Sequence, residues 1–150
     1  MNVAALGTLE ENGSPHVSFV TLAPQEDGTA ILLLSDLARH TANFRRDDRV
    51  TMLVMANHAR AFRSDTGSGQ DPLAKDPLAE ERITVHGAIE PYSVGQLDDG
   101  KELYIKHHPP SAQYINFKDF NFYQFKPSKI YLVGGFGRIE TFSAGILIQN

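Results

Sequence analysis

The chain has 150 residues, no cysteine and a formal net charge of −4, with 41% hydrophobic and 21% charged residues. Disulfides and thiolate metal sites are therefore excluded. The acidic balance gives no bulk attraction to nucleic acid or to an anionic membrane, and no apolar run approaches the roughly 20 residues of a membrane helix. A chain of this size and composition is expected to be one globular domain over 1–150 with an ordinary core. The first residues, MNVAALGTLEENG, carry no basic segment of the kind that opens a secretory signal, so a cytoplasmic location is the expectation.

In chain order, AALGTLEENGSPHVSFVTLAP predicts two strands around a turn at Asn12-Gly13, with Pro15 at a strand entrance. A second turn at Asp27-Gly28 leads into an apolar strand, Thr29 to Ser35. From Leu37 to Arg46 the apolar spacing is helical, with Asp36 as the candidate cap. Arg49 to Ala56 reads as a strand. The Gly-, Ser-, Asp- and Pro-rich stretch from Arg60 to Glu80 predicts a long exposed loop. ERITVHGAIEPY resumes a strand, with Gly87 as a bulge or kink. The stretch VGQLDDGKELYIKHHPPSAQYINF is helical until Pro109-Pro110 breaks it. NFYQFKPSKIYLVGGFG predicts two more strands with Lys126 to Lys129 as their turn, and ETFSAGILIQN has no clear period. Six or seven strands joined mostly by short turns, with two helical insertions, predict a mainly β fold whose antiparallel sheet closes on itself.

The segment SDLARHTANFRRDDR, directly after AILLL, carries the groups that hold a phosphate: Ser35, Arg39, His40 and Thr41 at the passage from a strand into a helix. The same pattern also suits a capped helix with a solvated face, and local sequence leaves both open. GSGQDPLAK is no P-loop, since no Gly-Lys-Ser/Thr follows its glycines, and VGGFGR lacks the spacing of a dinucleotide fingerprint. VGGFGR could still admit close approach at Gly134, Gly135 and Gly137 and cover an aromatic ring with Phe136, or simply end a strand. Arg82 could be a rim ion pair or a cofactor-edge cation. His107 and His108 diverge by about 100° on a helix, so they suit solvent better than a shared metal. His16, His58 and His86 have no carboxylate partner at a diagnostic spacing. No metal ligand set and no classical nucleophile signature is present.

Taken together, LGTLEENGSPHVSFVTLAP, LLLSDLARHTANFRRDDRVTMLV, DPLAEERITVHGAIEP and DFNFYQFKPSKIYLVGGFGRI resemble the FMN-binding split barrels related to pyridoxamine 5′-phosphate oxidase, most closely the branch containing haem-utilisation proteins. The resemblance implies an antiparallel Greek-key split β-barrel and a homodimer with FMN at the interface. It implies that Ser18, Phe19, Val20 and Thr21 lie along the flavin, that Ser35, Arg39, His40 and Thr41 hold its phosphate, and that Arg82, Gly135 and Phe136 touch the cofactor. The implied activity is a flavin-dependent oxidoreductase acting on an unidentified small molecule. The alternatives are a flavin- or haem-binding module without turnover, and a barrel with no cofactor. Two features depart from the oxidases: Ala23 stands where they have a basic residue, and Arg138-Ile-Glu140 replaces their Arg-x-His motif. Pyridoxamine phosphate oxidation is accordingly not expected. Nor is haem turnover, because haem-degrading members use a histidine in a C-terminal extension that these 150 residues do not include.

Overall fold

The computed structural model describes residues 2–55, 80–134 and 138–143. Its strands are β1 (Val3–Leu9), β2 (Pro15–Pro24), β3 (Ala30–Ser35), β4 (Val50–Met55), β5 (Arg82–Pro91), β6 (Phe120–Gly134) and β7 (Arg138–Ser143). Two α-helices interrupt them: α1 (Arg39–Arg46) and α2 (Leu97–His107), the latter flanked by single turns of tighter helix at Val94–Gln96 and Pro109–Gln113. The order across the sheet is β3-β2-β1-β4-β5-β6-β7, every pairing is antiparallel, and β3 also pairs with β6. That last pairing closes six strands into a barrel and leaves β7 as an added strand on the free half of β6.

The two hairpin turns form where expected. Gly13 and Gly28 have φ of +81° and +82°, a region that a Cβ disfavours. The apolar run of β3 has a tertiary cause. Its alternate residues Ala30, Leu32 and Leu34 face the barrel interior with Leu6, Leu22, Met52, Val85 and Phe125. The intervening Ile31 and Leu33 face a second cluster with Tyr104 of α2, Phe122 and Ile115. A strand buried on both sides needs no alternation. Helix α2 and the turn after it thus cover the outer face of β3 and the adjoining ends of β2 and β6. Pro109 ends α2, and its neighbour His108 packs against Tyr104 and donates from Nε2 to the Leu22 carbonyl at 2.9 Å. His108 is therefore a packing residue, contrary to the expected solvated pair.

Two local expectations are corrected. Helix α1 begins at Arg39 after Ala38, and no side chain caps it. Asp36 is instead drawn to Arg45, at 2.5 Å, and accepts from Asn121 at 2.8 Å. The stretch Lys126 to Lys129 is not a turn. It lies within β6, one 15-residue strand. Opposite it the register slips between His86 and Gly87: Lys129 pairs with His86 and Pro127 with Gly87, so Ser128 is the extra residue of a bulge. Pro127 has no N–H to offer the ladder, and the bulge is where a strand tolerates that loss. The Ser128 hydroxyl donates to the His86 carbonyl at 3.1 Å. The bulge expected at Gly87 is present. The loop expected over Arg60 to Glu80 lies outside the described residues but for Glu80, as does His58.

At Gly87 an added Cβ would strike the Lys126 carbonyl oxygen and lie 2.8 Å from the Phe125 ring. The carbonyl is main chain and cannot swing aside. Gly87→Ala is expected to destabilise the fold by about 1–3 kcal/mol, the usual range for overpacking, measured as a lowered denaturation midpoint.

Candidate functional site

Strand alternation divides the predicted flavin strand into two faces. Ser18 and Val20 point inward; the Ser18 Oγ is buried without a hydrogen-bond partner, and the Val20 side chain belongs to the core. Phe19 points outward and is 71% exposed, as is Val17 at 67%. Thr21, on the same face, shares a 2.6 Å hydrogen bond with the hydroxyl of Tyr104. Burial holds that phenol's pKa up at about 12, so it stays protonated as a hydrogen-bonding partner of Thr21.

A cleft of about 360 Å³ runs from Phe19, Val20 and Thr21 past Ser35 and Ala38 to His40, with Leu33, Tyr114 and Phe120 as its apolar wall. It thus gathers five of the residues singled out from sequence: Phe19, Val20, Thr21, Ser35 and His40. Ser18, Arg39, Thr41 and Arg82 do not line it, and Gly135 and Phe136 lie outside the described residues.

The phosphate-type donors at this corner are mostly committed already. The Ser35 hydroxyl donates to the Asp119 carboxylate at 2.8 Å and accepts from the Leu37 amide at 3.1 Å. The Thr41 hydroxyl, fully buried, donates to the Ser35 carbonyl at 2.7 Å. The Arg39 guanidinium donates to Glu10 at 2.8 Å, and Glu10 also lies 3.8 Å from the imidazole of His16. What remains is backbone. The amides of Arg39 and His40 open an uncapped helix and bond to no other described residue. Beside them the Nε2 of His40 is buried without a partner. Burial, helped by His16, pushes the His40 pKa below its ordinary value, so this imidazole is neutral at pH 7. Asp119 and Glu10, the residues that occupy these donors, come from chain segments 84 and 29 positions away, and no local motif marks them.

The second feature of the surface is a broad outward sheet face that α2 does not cover. Pairing registers place Phe19, Ala5, Leu53, Thr84, Tyr131 and Thr141 in one row across six strands. The next row is Val17, Gly7, Thr51, His86, Lys129 and Ser143. Arg82 sits on the same face at the start of β5, beside Met55 and Val133, with its guanidinium 3.4 Å from the Glu80 carbonyl. Among the described residues, five of the eight exposed large hydrophobics fall on this face: Val17, Phe19, Leu53, Tyr131 and Ile139. No group of three His, Cys, Asp or Glu residues among those described could hold a metal ion, and no helix among them is long and apolar enough to cross a membrane.

Comparisons with known proteins agree with this fold. The chain is 29% identical over 123 residues to the non-canonical heme oxygenase HOZ, chloroplastic, of Arabidopsis thaliana, covering 82% of this chain and 33% of that protein. Among solved structures, a heme binding protein from Mycobacterium smegmatis superposes with a TM-score of 0.80 at 27% identity, over 99% of this chain and 55% of that one. A protein related to general stress protein 26, of the pyridoxinephosphate oxidase family, from Clostridium acetobutylicum superposes with a TM-score of 0.64 at 14% identity, over 98% of this chain and 89% of that one; this last likeness is one of fold. The chain spans about a third of the length of the Arabidopsis relative and about half that of the mycobacterial one. Residues 1–145 match the model of the CREG beta-barrel family, and the chain belongs to that family, on the split-barrel fold that the oxidase-related proteins share.

Proposed function

We propose that this chain is a haem-binding module of the split-barrel class, acting in haem capture or utilisation as a homodimer whose outward sheet faces meet. The observation that carries the reading is the apolar stripe of Val17 and Phe19, which stands on the outer face of β2 with a cleft on either side. A barrel has already buried its inner face, so an apolar outer face gains only by contact with another molecule. A flat, largely apolar ring with acidic substituents suits such a stripe, and the relatives at 29% and 27% identity bear the names heme oxygenase and heme binding protein. A second copy is the partner proposed for the remainder of the face, because its rows run across six strands and mix apolar residues with Thr and Ser hydroxyls.

The second reading is FMN bound at the cleft of Phe19, Thr21, Ser35 and His40, with oxidoreductase chemistry supplied by the flavin when bound. It is favoured by the free amides of Arg39 and His40 at the start of α1. The residues fit a phosphate only in part, since Ser35, Arg39 and Thr41 already have partners and Asp119 brings a negative charge to the corner. In both readings the chain contributes an apolar floor and an anion cradle, and no side chain near the cleft is placed as a nucleophile.

The readings separate by titration of the purified chain with ferric haem and with FMN. A haem-type Soret band with saturable stoichiometry is expected, and FMN is expected to bind more weakly, followed by quenching of its fluorescence. Tight FMN binding without a haem complex would reverse the order. Glu10→Gln should free Arg39 and raise FMN affinity by about 0.5–1 kcal/mol, the scale of an exposed ion pair, and adding Arg39→Ala should abolish the gain. Ile139→Asp, on the part of the face away from the stripe, should convert a dimer into a folded monomer, as measured by light scattering.

A further inference from the structure

Beside the apolar stripe lies a groove of about 510 Å³ that the predicted site residues do not touch. Its floor is β1 at Gly7, which has no side chain. One wall carries Pro15 and Val17 of β2, and the other carries Thr51 of β4 and His86 of β5. Val17 and His86 are three strand spacings apart, about 14 Å. The volume lies within the range of small-molecule and cofactor sites.

His86 is exposed, and one of its ring nitrogens has a partner. Nδ1 is 3.0 Å from the Thr51 hydroxyl on the neighbouring strand. When Nδ1–H donates to that hydroxyl, Nε2 keeps its lone pair; it bonds to no other described residue. A ligating histidine is typically held in this way, with one ring nitrogen tied down and the other presented. A bare metal ion would need further ligands, and the described residues offer no cluster of three. An iron already held by four nitrogens of a macrocycle needs only one.

The rest of the groove fits the same ligand. Leu9, Pro15 and Val17 supply apolar surface. Cations for acidic substituents stand at its rim: Arg49 lines it, though shared with Asp47, and Lys129 is the exposed neighbour of His86 on β6 with no ion pair among the described residues.

We propose that this groove takes haem, with Nε2 of His86 as the axial ligand of its iron and Thr51 as the residue that positions the imidazole. The proposal rests on the haem-binding reading above and adds the ligand and the place.

The test titrates the full chain and three variants with ferric haem, recording absorption and electron paramagnetic resonance spectra. The unaltered chain should give the spectrum of imidazole-ligated ferric haem. His86→Ala should lose it and bind at least tenfold more weakly, and added free imidazole should restore the ligated spectrum. Thr51→Val should weaken binding less and shift the spectrum, while His107→Ala, distant on α2, should leave both unchanged. Unaltered spectrum and affinity in a folded His86→Ala variant would overturn the assignment and leave the haem reading standing. A saturable haem complex without the imidazole-ligated spectrum would overturn the assignment alone, and absence of any saturable haem complex in the unaltered chain would overturn both.

Discussion

The pairing of β3 with the first half of β6 is the contact on which the rest depends. Without it the sheet is an open ribbon with two edges. With it, the side chains of six strands meet in one apolar interior, and the outer surface divides into two parts. Where β3, β2 and β6 come together, α2 and the turn after it pack Tyr104, Ile115 and Phe122 against the wall. Where β1, β4 and the second half of β6 run, nothing in the described chain covers the wall. The apolar stripe at Val17 and Phe19 lies on that uncovered part.

Closure also explains how polar groups are used. The β3-to-α1 passage sits at the rim where β6 begins, so Ser35 meets Asp119 and Asp36 meets Asn121 across the closing seam. Arg45 joins the same seam by reaching both Asp36 and the Tyr123 hydroxyl, each at 2.5 Å. Groups that look like ligand donors in one dimension are here fasteners between strands. The donors left for an anion are the amides of Arg39 and His40, two of the four that a helix start leaves without an intrahelical partner. A site of that kind gains little from individual charged side chains and much from the shape of the neighbouring wall.

The bulge at Ser128 has a related consequence. It lets a 15-residue strand serve two sheets' worth of partners by bending between its β3-paired half and its β7-paired half. It also lies directly against His86, whose carbonyl receives the Ser128 hydroxyl. The backbone under His86 is thus anchored on the β6 side and its imidazole on the β4 side. A histidine on an exposed sheet face is thus held at both backbone and ring without burial.

What the amino-acid order alone determined was local. Hairpin glycines, the apolar β3 run, the Pro109 stop and the Gly87 irregularity each rest on short-range sterics or periodicity, and each was legible, as were the mainly β class and the resemblance of SDLARHTANFR and VGGFGR to split barrels. Lys126-Pro-Ser-Lys misled because a proline-serine bulge and a turn have the same local composition, and only the partner strand distinguishes them. Asp36 misled because a capping preference worth about 1 kcal/mol competes with an arginine brought near by the fold. The pairings of Ser35 with Asp119, Arg39 with Glu10 and His86 with Thr51 join residues 84, 29 and 35 positions apart. Only the tertiary structure decided those, since strand register, not sequence spacing, sets which side chains stand opposite one another.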